Sequence, residues 1–251
     1  MEESILYSAI SGQTAVFKQM EVIANNLANA TTAGFKAERI LFEKVLTDEQ
    51  LLYYSPNSEI SDPNSLPLEE YVQIKGSFTD LSLGPVENTG NPLDVAIRNE
   101  GFFILNTPEG VRYTRSGQFS LDNQNRLVSS EGHPVQGASG EITLGAGKIE
   151  ISADGSISLN GEFVDQLRLA KLDSPFLIRE SAQKYDLPPE GIATDIEKIE
   201  VQARAIEGSN VNTVKELTDM IFASRMFEAL QKAQQASSSM TEDRNQVLGT
   251  S

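Results

Sequence analysis

Apolar side chains near the amino terminus recur every three or four positions: Ile5, Ala9, Gly12, Val16, Met20, Ile23, Leu27 and Ala30. That spacing predicts one helix of about 28 residues, ~42 Å long, with a single apolar stripe. Gly34 follows in a position suited to a left-handed helix end. From Tyr71 to about Glu207 the period falls to two. Short runs of strand-forming residues, such as Gly101-Phe102-Phe103-Ile104-Leu105 and Val111-Arg112-Tyr113-Thr114, alternate with turn signals such as Pro108-Glu109-Gly110. Asp154-Gly155 and Asn160-Gly161 predict hairpins over 150–158 and 157–164. The proline-bearing stretch 181–191 reads as an excursion and 197–206 as a returning strand. Beyond Gly208-Ser209-Asn210-Val211-Asn212, the positions Val214, Leu217, Ile221, Ser224, Phe227, Leu230, Gln234 and Ser237 approximate one helical face. Thr213 and Glu216 have capping-box spacing at its start, and the helix extends to about Val247, ~50 Å.

These elements give an α+β chain. Long amino- and carboxy-terminal helices (1–35 and 208–251) pair as a coiled-coil-like domain, and an antiparallel all-β domain (71–207) is inserted between them. Residues 36–70 connect the two. Within that connection Phe42 to Leu46 reads as short helix or extended chain, and 55–67 as a proline-bearing loop.

Neither helix can bury its stripe alone, because an isolated helix is marginal in water. Ala9, Gly12, Ala28, Ala30, Ala223, Ala229, Ala233 and Ala236 allow close helix approach. Two arrangements satisfy the pattern: a hairpin within one chain, or packing on further copies or relatives. Candidate interface residues are Ile5, Ala9, Val16, Ile23, Asn25, Asn26, Leu27 and Asn29 on the first helix, and Val214, Leu217, Ile221, Phe227 and Leu230 on the second. The three asparagines are poor helix-interior residues. They either face water or fix the register of a helix contact by hydrogen bonds.

Composition narrows the chemistry. The formal net charge of −16 disfavours nucleic-acid binding and adhesion to anionic membranes. The chain has no cysteine, so disulfides, thiolate nucleophiles and sulfur metal sites are absent. No apolar run reaches membrane-spanning length, and the acidic start Met1-Glu2-Glu3-Ser4 lacks the features of a cleaved signal peptide. His133 is the single histidine, in a turn-like Gly-His-Pro context, and carries no metal site. Asp94, between apolar neighbours, reads as a hydrogen-bonding residue at a strand start. Gly140 to Lys148 has the wrong spacing for a phosphate loop. The expectation is a non-enzyme without catalytic, cofactor or metal residues.

Three separated blocks resemble the flagellar basal-body rod and hook proteins. The first is Asn25-Asn26-Leu27-Ala28-Asn29 with Thr31-Thr32-Ala33-Gly34-Phe35-Lys36. The second is Gly90 to Ile97, Gly101-Phe102-Phe103 and Tyr113-Thr114-Arg115-Ser116-Gly117-Gln118-Phe119. The third is Glu207-Gly208-Ser209-Asn210-Val211-Asn212 with the helix that follows. Arg225-Met226-Phe227-Glu228 and the tail to Leu248 resemble the proximal rod members over the distal ones, which usually carry Tyr where Phe227 stands. The resemblance implies a structural subunit exported through the flagellar type III apparatus without a cleaved signal. It implies assembly with copies of itself and other rod proteins in the periplasm, with paired terminal helices lining a tube. Phe42-x-x-x-Leu46 resembles the short motif that such substrates present to the export gate; the alternative is a core pair one helical turn apart. Distal rod protein is the rival within this class. A cell-wall- or carbohydrate-binding β domain on a helical stalk is the rival outside it.

Overall fold

A computed structural model of the chain describes residues 2–46, 70–174 and 176–248. The two long helices are present: α1 spans Glu2–Ala28 and α2 spans Thr213–Leu248. Between them lie short, antiparallel strands. The α+β class follows. The described residues divide into two compact units, each assembled from distant segments. One takes Met1–Asn25, Arg39–Ser77 and Val214–Ser251; the other takes Asn26–Glu38 and Phe78–Thr213.

In the first unit α1 and α2 run antiparallel. The rings of Phe17 and Phe227 lie 6.5 Å apart, the Ser224 hydroxyl donates to the Met20 sulfur at 3.8 Å, and Gly12 faces Leu230. Residue numbers rise on one helix as they fall on the other. The segment after α1 is extended: β1 (Glu38–Leu46) pairs with β2 (Glu70–Thr79) as a two-stranded ribbon. This settles the reading of 42–46 as strand, so Phe42 and Leu46 are not one helical turn apart. No helix among the described residues is long and apolar enough to cross a membrane.

The second unit is β-rich. Its largest sheet has six strands in the order Ile178–Arg179, Tyr185–Asp186, Gly110–Thr114, Phe102–Thr107, Leu169–Leu172, Ala193–Asp195. The run Phe102-Phe103-Ile104-Leu105 is apolar without alternation because both of its faces are covered. Phe103 and Leu105 enter a core with Ile97, Phe119, Leu127 and Leu167; Phe102 and Ile104 enter another with Tyr113, Leu172 and Tyr185. The two hairpins read from Asp154-Gly155 and Asn160-Gly161 form as Ile149–Ile151, Ser156–Leu159 and Glu162–Gln166. Asn160 and Gly161 both take positive φ, at 53° and 88°, as a two-residue hairpin turn of this kind requires.

Two stretches differ from expectation. The excursion 181–191 returns to the large sheet, because Tyr185 is drawn into the core opposite Tyr113. The returning strand is broken into Val201–Ala203 and Ala205–Glu207, with Arg204 at φ 59° between them. The pieces pair with Val95–Ile97 and Val86–Asn88 respectively.

Candidate assembly surface and its supporting junction

Residues 33–38 belong to the β-rich unit, and side chains from distant parts of the sequence meet many of the polar groups they bring there. Gly34 has φ 69° and lies so close to Ser116 that a β-carbon would collide with its backbone nitrogen. Only glycine fits this position. Its N–H donates to the Glu207 carbonyl at 2.7 Å. The Asn26 side chain, fully buried at the end of α1, accepts from Glu38 N–H at 2.9 Å and donates to Glu38 C=O at 3.0 Å. It thus stands in for a neighbouring strand. Asn210 works from the other side, accepting from Ala37 N–H at 2.7 Å and donating to Asp80 C=O at 2.8 Å.

Beneath this segment three charges meet, each almost wholly buried. Glu207 takes the Lys36 ammonium at 2.7 Å on one carboxylate oxygen and the Arg115 guanidinium at 2.5 Å on the other. The first oxygen also accepts from Gly84 N–H at 2.8 Å. Lys36 donates to Ser82 C=O at 2.6 Å, and Arg115 to the carbonyls of Gly101, Ile97 and Asn99. Burial holds the Lys36 ammonium below the usual lysine range, and Glu207 pulls it back upward. Removing three charges from water is costly, and these hydrogen bonds and the two ion pairs offset that cost. Sequence reasoning missed Lys36, Arg115 and Glu207. Their signal was local, a charge set among Gly, Phe or Ser, and 171 residues separate Lys36 from its partner.

The candidate assembly surface lies on the helices. On α2 the buried or half-buried positions among the described residues are Glu216, Asp219, Met220, Ala223, Ser224, Phe227, Leu230 and Gln234, which fall along one side of the helix. Phe227 and Leu230 meet α1 there, as shown above. Glu216, expected to cap the helix, is fully buried and pairs with Arg39 of β1 at 2.6 Å. Val214, Leu217 and Ile221 do not join this face. They are 75%, 47% and 55% exposed, with Phe222 and Met226 beside them. At about 100° per residue, the two sets are centred on opposite sides of α2.

On α1, Ile23 is buried with Ala15 and Val22, and Val16 and Leu27 are half-buried. Asn25 is exposed. Asn29 is half-buried and accepts from the Thr32 hydroxyl at 3.2 Å. Asn26 is therefore committed to a helix-to-strand joint within the chain. Phe42 is exposed on β1; the side chains of Ile5, Ala9 and Leu46 lie outside the described residues. Asp94 accepts from the Thr89 hydroxyl at 2.6 Å and the Asn91 amide at 2.9 Å, a strand-start anchor.

Comparison with known proteins matches three stretches of the chain, which include Lys36, Arg115 and Glu207. Residues 6–36 match the family described as "Flagella basal body rod protein". Residues 96–159 match "Flagellar hook protein FlgE/F/G D1 domain", and 202–247 match "Flagellar basal body rod FlgEFG protein C-terminal". A flagellar basal-body rod protein FlgF of Rhizobium meliloti is 32% identical over 89% of this chain and 88% of its own length. FlgF of Escherichia coli is 31% identical over 98% of both chains. FlgG of Bacillus subtilis, also described as a basal-body rod protein, is 30% identical over 90% of this chain and 92% of its own.

Proposed function

The chain belongs to the flagellar basal-body rod and hook protein family and is a structural subunit of the rod, and we propose that it joins its neighbours through the helix face that its own fold leaves uncovered. The carrying observation is the two-sided α2. One apolar face is matched by α1, while Val214, Leu217, Ile221, Phe222 and Met226 form a second face on the far side. Exposed apolar side chains in that number on a −16 chain suit contact with helices of further copies or related rod proteins. The three–four spacing of the α1-facing positions supports coiled-coil-like pairing of the terminal helices. A proximal position in the rod, in preference to the distal one, is supported by the FlgF relatives over nearly the whole chain and by Arg225-Met226-Phe227-Glu228. The subunit is read as non-enzymatic, exported through the type III apparatus to the periplasm, with Phe42 and Leu46 of β1 as the export-gate motif.

Ile221→Asp separates these roles. The variant is expected to fold with a stability change within about 0.5 kcal/mol and to be secreted normally, yet to be missing from isolated basal bodies. Phe42→Ala is expected to fold but to accumulate inside the cell. Normal rods built from Ile221→Asp would refute the assembly face, and undiminished secretion of Phe42→Ala would refute the export role.

A further inference from the structure

Over the buried charge cluster the β-rich unit carries a recess of about 150 Å³. Leu81, Leu83, Phe102 and Leu172 supply its apolar lining, and Lys36 and Arg115 also line it. Both cations are almost wholly buried, so they border its inner wall and not its mouth. Lys171 and Glu100, paired at 2.9 Å and largely exposed, stand at its mouth.

The donor inventory of the inner wall is incomplete. A lysine ammonium has three N–H groups and an arginine guanidinium five. Lys36 uses two, on Ser82 C=O and Glu207. Arg115 uses four, on Glu207 and the carbonyls of Gly101, Ile97 and Asn99. One N–H remains on each cation, and among the described residues only one buried carboxylate pairs with the two. Asp80 acts on Lys36 at longer range, and Glu100 is held at the rim by Lys171. Two spare donors on two desolvated cations match the two oxygens of a carboxylate.

We propose that this recess receives a carboxylate on a short aliphatic stem, presented by an acidic side chain of a neighbouring copy. Charge complementarity selects that occupant. The chain has 36 acidic against 20 basic residues, so approaching copies repel unless carboxylates meet cationic sites. The choice of occupant rests on the rod-assembly reading; the carboxylate chemistry does not.

The test titrates the full chain at low salt with butyrate and, separately, with butyramide, following the amide resonances of Gly101 and Lys171. Butyrate is expected to saturate these shifts at about tenfold lower concentration than butyramide. Glu100→Gln, which removes the competing rim carboxylate, is expected to tighten butyrate about twofold. Leu83→Trp, which fills the recess, is expected to abolish the response. Equal responses to the two probes, no response, or a Leu83→Trp chain that still binds butyrate would each overturn the proposal. Leu83→Trp is also expected to weaken association of copies in sedimentation; wild-type association would remove the neighbouring copy as the source. Ile221→Asp keeps the readings apart, since it is expected to lose association and retain butyrate binding.

Discussion

Glu207 holds two cations at once, and among the described residues no other carboxylate pairs with either of them. Glu207→Gln keeps the shape but leaves Lys36 and Arg115 facing each other without a full counter-charge. Breaking a buried pair from one side costs about 3–5 kcal/mol, so a loss of that size in urea unfolding is expected. Tyr185 makes a different prediction. Its hydroxyl accepts from Lys36 N–H at 3.3 Å, and burial pushes its phenol above the ordinary tyrosine range, as it does for Tyr113. The unfolded chain therefore ionises these groups first, near pH 10. Their stabilising contribution is complete below that pH and is lost as pH rises through the folded values. Lys36 runs the opposite way: its depressed value penalises the folded state at neutral pH, a penalty relieved as pH approaches about 10.4. Tyr185→Phe should therefore lose less stability than wild type between about pH 9.5 and 11.5, measured as the shift in urea midpoint. An equal shift in both proteins would exclude Tyr185 as a source of the alkaline loss.

At the scale of elements, helix α1 carries a glycine where it meets α2. A β-carbon at Gly12 would sit 3.6 Å from Leu230 Cδ1, an ordinary contact. Gly12→Ala should therefore gain about 1 kcal/mol of helix propensity and raise the melting temperature by about 2–4 °C; a fall would mean that the helices approach more closely in solution. Periodicity made both helices and the hairpins at Asp154-Gly155 and Asn160-Gly161 legible, because each is dictated by neighbours in sequence. It merged the two faces of α2. Val214, Leu217 and Ile221 were grouped with Phe227 and Leu230, although a drift of a few residues placed them on opposite sides. An apolar stripe does not say what covers it. The strand role of 185–186 and the junction charges were illegible for another reason: Tyr185 and Glu207 acquire their partners only through tertiary closure.

At the scale of the molecule, three signature blocks that are far apart in sequence meet inside one unit: Gly34-Phe35-Lys36, Arg115-Ser116-Gly117 and Glu207-Gly208-Ser209-Asn210. The bonds that join them span 92 and 171 residues. Contacts of such separation form late, because a long loop must close before they return any stabilisation. A chain that emerges one end at a time, from a ribosome or through a narrow channel, lacks the Lys36–Glu207 contact until both blocks are free. Completion of the β-rich unit is thereby tied to the arrival of Glu207 and Asn210, the last of the three blocks to emerge.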